Sequence, residues 1–178
     1  MNPIKQDQIM ILRRMRDVPR LAGFFKTRPY SDAEHCYYTG MLFEDIADAD
    51  GISVTKEEVQ WVYRHDAFEI VTGDLLYPAK NTNRSTQSFW ESIELEVAEG
   101  YPALSPFTDY EASKWFKPVS LALFKDCDSL ELLLFCKEEE LRGNRLINVN
   151  GTSVASVMLK VLLHTPFMSI RQIVESVK

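Results

Sequence analysis

Three groups able to do acid–base or metal chemistry crowd one apolar stretch. His65, Asp66 and Glu69 lie in Val59-Gln-Trp-Val-Tyr-Arg-His-Asp-Ala-Phe-Glu-Ile-Val-Thr-Gly-Asp74. Positions four apart share a helix face, so His65 and Glu69 point into one space. Asp66 is turned from His65 by about 100°, near enough for both to reach one cation if another helix adds donors. Val59, Trp61, Val62, Ala67, Phe68, Ile70 and Val71 require the segment to be largely buried. A buried, unpaired Asp or Glu is costly, so partners or a metal are the default explanation. Taken alone, His-Asp adjacency is a common dipeptide and fits a solvent-facing helix as well.

Further donors stand elsewhere in the chain. His35 follows Glu34 at the start of another helix, and Asp128 in a third helix completes a set of two imidazoles and two carboxylates. Spacing does not separate Asp128 from Asp126, and either also reads as a solvated charge near Lys125. A mixed nitrogen and oxygen set suits Mn, Fe, Co, Zn or Mg, with positions open for water and a substrate oxygen. Such a metal polarises a phosphoryl oxygen and lowers the pKa of water, and Glu69 stands close as a general acid or base. His164, at an apolar helix end before Thr165-Pro166, reads as a structural histidine. Cys127 and Cys136 read as core, as do Phe24, Phe25, Tyr30, Tyr37 and Tyr38.

Helices must hold these residues in place. Ile4, Ile9, Met10, Leu12 and Met15 predict an amphipathic helix over about 4–16, ended by Pro19. A connector over 20–29 follows, broken by Gly23 and Pro29. Ser31-Asp-Ala-Glu34 is a capping box opening a helix to about Ala49, and Thr55-Lys-Glu-Glu58 opens the helix that stops near Gly73. A loop over 74–80, a helix over about 86–99, a short helix over 106–115 and a long one over about 119–142 come next. Gly151 begins a helix through His164, and Ser169-Ile-Arg-Gln172 caps a last short one. Nothing reads as a strand ladder. The expected architecture is all-α, a single domain of about seven or eight helices over 1–178.

The composition sets outer bounds. With 178 residues, 46% hydrophobic and 26% charged, the chain can bury a proper core without staples. No apolar run approaches the roughly 20 residues of a membrane span, and Met-Asn-Pro-Ile-Lys-Gln-Asp-Gln has no signal-peptide core. Three cysteines without Cys-x-x-Cys spacing point to free thiols in a reducing compartment, so the expected location is the cytoplasm. A net charge of −6 argues against nonspecific nucleic-acid binding, while a cation in one pocket still permits a small phosphorylated substrate.

Ser31-Asp-Ala-Glu-His35, the run from Tyr63 to Lys80, and Lys125-Asp-Cys-Asp-Ser-Leu130 together resemble the HD-domain phosphohydrolases. The similarity is to the bacterial 5′-deoxynucleotidases and the small viral dATP triphosphohydrolases, and it spans about Arg20 to Asn144. It implies an HD-domain helical bundle with a divalent metal (Co, Mn, Zn or Mg) on His35, His65, Asp66 and Asp128, and so favours Asp128 over Asp126. It implies Glu69 as the catalytic carboxylate and Arg20 as the arginine that contacts phosphate and sugar. Leu21, Asp74, Pro78 and Lys80 then border the nucleotide. Leu21 departs from the family, where a tryptophan often packs on the deoxyribose.

The implied activity is hydrolysis of a deoxynucleotide at its 5′ phosphorus. A dNTP, dATP first, is the expected substrate, giving deoxynucleoside and triphosphate; the alternative is a 5′-deoxynucleotidase acting on monophosphates. An HD phosphodiesterase and a non-catalytic nucleotide-binding module are weaker readings. The expected partner is a small-molecule deoxynucleotide, with no nucleic acid and no membrane. By the same resemblance the protein is a homo-oligomer, in the host cytoplasm if viral.

Overall fold

Helix caps written into the sequence set several of the helix starts. In the computed structural model, which describes residues 6–74, 83–108, 114–149 and 151–178, Thr55 Oγ1 accepts from Glu58 N at 3.1 Å. Glu58 returns the bond, accepting from Thr55 N at 2.7 Å, which completes the capping box. Ser31 Oγ likewise accepts from Glu34 N at 3.3 Å. The helices are α1 (Gln6–Leu12), α2 (Asp32–Ala49), α3 (Lys56–Val62), α4 (Glu69–Thr72), α5 (Arg84–Gly100), α6 (Pro118–Leu141), α7 (Val154–Leu162) and α8 (Met168–Val177). Among the described residues two 3-10 turns, Arg13–Asp17 and Ser105–Phe107, accompany these helices. The class is all-α.

Four expectations need correction. The helix expected to run unbroken from the Thr55 cap to near Gly73 is interrupted: α3 ends at Val62 and α4 begins at Glu69. Between them the backbone winds tightly, with Ala67 N donating to Arg64 O and Glu69 N to Asp66 O, both at 2.9 Å. Three residues per turn in place of 3.6 bring Asp66 and Glu69 onto one face. Secondly, Gly151 does not start a helix. With φ at 78° it sits in the turn of a hairpin, β1 (Asn148–Val149) against β2 (Thr152–Ser153), where the Asn-Gly pair at 150–151 is a strong hairpin signal.

Thirdly, Ser169 caps nothing. Its N–H and hydroxyl donate to the Asp50 carboxylate at 3.1 and 2.5 Å, and α8 starts one residue earlier. Lastly, of the aromatic group assigned to the core only Tyr30 is buried, while Phe25, Tyr37 and Tyr38 are exposed, as is His164. Cys36, Cys127 and Cys136 are buried free thiols, as expected.

The chain forms two compact units, each drawn from non-contiguous segments. The first comprises Met1–Ala22, Tyr30–Cys36 and Arg64–Trp115. Its buried apolar residues include Met15, Val18, Leu21, Ala67, Phe68 and Leu104, and α4 packs on the 3-10 turn at Arg13–Asp17. The second comprises Gly23–Pro29, Tyr37–Tyr63 and Phe116–Lys178, with α7 and α8 packed on α6. Trp61 anchors it, edge-on to Phe116 at 5.4 Å and to Phe124 at 5.1 Å between ring centroids.

Two buried glutamates tie this second unit's loops to its helices. Glu58 also accepts from Lys117 N at 3.1 Å and from Ser120 Oγ. Glu139 accepts from Thr27 N and Asn144 Nδ2, each at 2.7 Å, and from Thr27 Oγ1 at 2.5 Å. Burial alone would push both carboxyls up, but these hydrogen bonds outweigh it and hold both pKa values below the ordinary range.

Candidate metal centre

A short antiparallel bridge in the first unit frames the site. Pro19 pairs with Ser31, Arg20 N donates to Tyr30 O at 2.9 Å, and Asp32 N donates to Val18 O at 3.1 Å. These bonds fix Arg20 and Leu21 against the first turn of α2, which carries Asp32 and His35. Leu21 adopts φ of 51°, the left-handed region that costs a branched side chain about 1–3 kcal/mol. Its amide donates to Asp74 Oδ2 at 2.7 Å, so the carboxylate holds the turn in that conformation while the Leu21 side chain is buried.

The imidazoles of His35 and His65 are buried and stand edge to face, 5.2 Å between centroids. Each is occupied on one side. The Nδ1 of His35 lies 3.2 Å from the Tyr30 hydroxyl, and the Nδ1 of His65 lies 3.5 Å from Cys36 Sγ. The remaining nitrogens both turn toward Asp66, whose Oδ2 is 3.7 Å from His35 Nε2 and 3.4 Å from His65 Nε2. Burial pushes the Cys36 thiol up, so it faces His65 as a neutral S–H. Two imidazole nitrogens thus face the Asp66 oxygen that Arg20 also bonds, each imidazole oriented by an outer partner, and these donor types fit a divalent cation.

Carboxylates surround Arg20. Its Nη1 bonds Asp66 and lies 3.5 Å from Asp32 Oδ1 and 3.8 Å from Glu69 Oε2. Burial opposes the guanidinium charge, but Asp66, then Tyr30, Glu69 and Asp74, outweigh it and raise the pKa above its ordinary value. Asp32 is fully buried, and its pKa is pushed up to about 7, first by burial and then by the charge of Asp66, with Arg20 opposing. One oxygen each of Asp32, Glu69 and Asp74 lies within 4.8 Å of the others. Arg20 and the Leu21 amide already engage these three acids.

Of the residues singled out from sequence, the first unit brings together Arg20, Leu21, His35, His65, Asp66, Glu69 and Asp74. Asp128 stands half-buried on α6 in the second unit. Asp126 on the same helix accepts from Thr165 Oγ1 at 2.5 Å, a structural task. Pro78 and Lys80 lie outside the described residues. Sequence reasoning missed Asp32, Tyr30 and Cys36. The first was hidden inside a capping box, Tyr30 read as core, and Cys36 read only as a free thiol.

The fold is that of the HD-domain phosphohydrolases. An HD-domain phosphohydrolase from Listeria innocua superposes with a TM-score of 0.75 at 17% identity, covering 95% of this chain and 85% of that one. The HD phosphohydrolase of cyanophage S-2L, in a structure bound to dA and one catalytic Zn2+ ion, superposes at 0.66 with 18% identity over 99% of both chains. The fold is thus the HD-domain one, and its donor set fits a divalent cation.

Residues 8–161 match the family described as 5′-deoxynucleotidase YfbR-like, and the chain belongs to it. A 5′-deoxynucleotidase of Shewanella oneidensis is 33% identical over 148 residues, covering 77% of this chain and 76% of the relative. No helix among the described residues is long and apolar enough to cross a membrane.

Proposed function

We propose that the chain is a 5′-deoxynucleotidase, cleaving the phosphate ester of a 2′-deoxynucleoside monophosphate to deoxynucleoside and orthophosphate. The observation that carries this is the convergence of His35 Nε2, His65 Nε2 and Asp66 Oδ2 beside Glu69 and Arg20, in a chain of this family. His35, His65 and Asp66, with Asp128 added on the family motif, hold the divalent metal. When bound, the metal polarises the phosphoryl oxygen and acidifies water.

The chain's own residues do the rest. Glu69, buried and next to the donor set, takes the proton from the attacking water and returns it to the departing O5′ as the P–O5′ bond breaks. Arg20 and Lys80 offset the charge that spreads over the phosphoryl oxygens. Leu21, Asp74 and Pro78 border the nucleoside. The whole of 1–178 serves as one HD domain, a cytoplasmic homo-oligomer acting on small nucleotides and not on nucleic acid.

The second reading is a dATP triphosphohydrolase, of viral origin, and it draws on the likeness to the cyanophage protein across the full length of both chains. The family match and the Shewanella relative favour the monophosphate. The test is a panel of the mono-, di- and triphosphates of the four deoxynucleosides with Co, Mn or Zn. Orthophosphate from dAMP supports the leading reading, and triphosphate from dATP selects the second. Turnover of none overturns both.

A further inference from the structure

Resting on the phosphohydrolase reading above, we propose that Asp32 is a positioning residue for Arg20, its buried carboxylate presetting the guanidinium beside Glu69 before phosphate arrives. Four observations carry this. Asp32 has no exposed surface, and burying a carboxylate without a compensating partner is strongly unfavourable. The cation it meets is Arg20, with Nη1 3.5 Å from Oδ1.

Both ends of that pair stand on one frame. Arg20 N donates to Tyr30 O, Asp32 N donates to Val18 O, and the next residue after Arg20 is locked left-handed with its amide on Asp74. A rigid frame transmits the position of one side chain to the other.

Helix capping does not explain Asp32, because Ser31 already supplies the acceptor for α2, and a first-turn acid serving only the helix dipole has no reason to be sealed from water. Division of labour makes the same point. Among the described residues Asp32, Asp66 and Glu69 approach Arg20 Nη1 within 4 Å; the proposed function gives Asp66 to the metal and Glu69 to the proton, and Asp32, which also meets the Glu69 carboxyl, has no other task there. A guanidinium held in advance binds phosphate without losing its own rotamer freedom at that moment.

Two readouts on the Zn2+-loaded full chain test this. In side-chain 15N NMR the Arg20 guanidinium signal, assigned by its loss in Arg20→Lys, is expected to be sharp in the parent protein. It should broaden or move in both Asp32→Asn, which keeps the size of the side chain, and Asp32→Ala. An unchanged signal in both variants overturns the proposal. In turnover of dAMP, Asp32→Asn should lower kcat/KM about tenfold, mostly through KM, because Arg20 meets phosphate in ground and transition states alike.

In an Arg20→Ala background the same substitution should cost less than about twofold. A full, independent loss there means Asp32 acts through general structure and overturns the proposal. Absence of turnover in the parent protein with every metal and nucleotide overturns the proposed function instead, and the NMR result then decides on Asp32 alone.

Discussion

Each imidazole of the candidate centre is held at Nδ1, which decides how it can serve a cation. A metal on Nε2 requires Nδ1–H to donate, to the Tyr30 hydroxyl from His35 and to Cys36 sulfur from His65. Tyr30→Phe should therefore weaken metal binding by about 10–100-fold, read by competition with a chromophoric chelator, and an unchanged affinity would remove Tyr30 from this role. Glu69→Ala should retain the metal and lose about 10²-fold or more in turnover. Survival of activity would show that another group handles the proton. Asp128→Asn should release the metal, and unaltered metal content by elemental analysis would strike Asp128 from the ligand set.

The elements were legible where caps and breakers speak plainly. Thr55 and Ser31 mark helix starts within a residue or two of those observed, and the long helix expected from about 119 starts at Pro118. The break between α3 and α4 was not legible, because windings of 3.0 and 3.6 residues per turn share nearly the same apolar pattern over six residues. What separates them is tertiary: the tight turn lets Asp66 and Glu69 reach Arg20 together. Asp32 stayed hidden for a related reason, since a capping box explains Ser-Asp-Ala-Glu without any further partner.

Gly40 on α2 shows the same dependence on packing. A Cβ there would lie 2.5 Å from the Tyr63 ring, whose hydroxyl donates to Glu44 at 2.7 Å. Gly40→Ala should thus destabilise by about 1–3 kcal/mol despite the better helix propensity of alanine, and a raised melting temperature would contradict this packing.

At the scale of the molecule, acid sensitivity follows from the buried glutamates. Glu58 and Glu139 have folded pKa values lowered from the ordinary 4.5, so they bind protons more readily unfolded. Their stabilisation is complete above that value and is lost as pH falls through the lowered folded values. The melting temperature should drop on acidification below pH about 4.5, and Glu58→Gln should flatten that acid limb; equal slopes would contradict the assignment.

The all-α class could be read from successive helical segments with no strand ladder, and the family from three separated motifs. The order of substrates could not be, since mono- and triphosphates present the same 5′ phosphorus to the same donors. The family match moves the monophosphate ahead. The most direct test of the whole account is orthophosphate release from dAMP before and after metal is stripped by a chelator. The expected result is release that chelation abolishes and added Co, Mn or Zn restores. Release indifferent to chelation, or none with any metal, would contradict it.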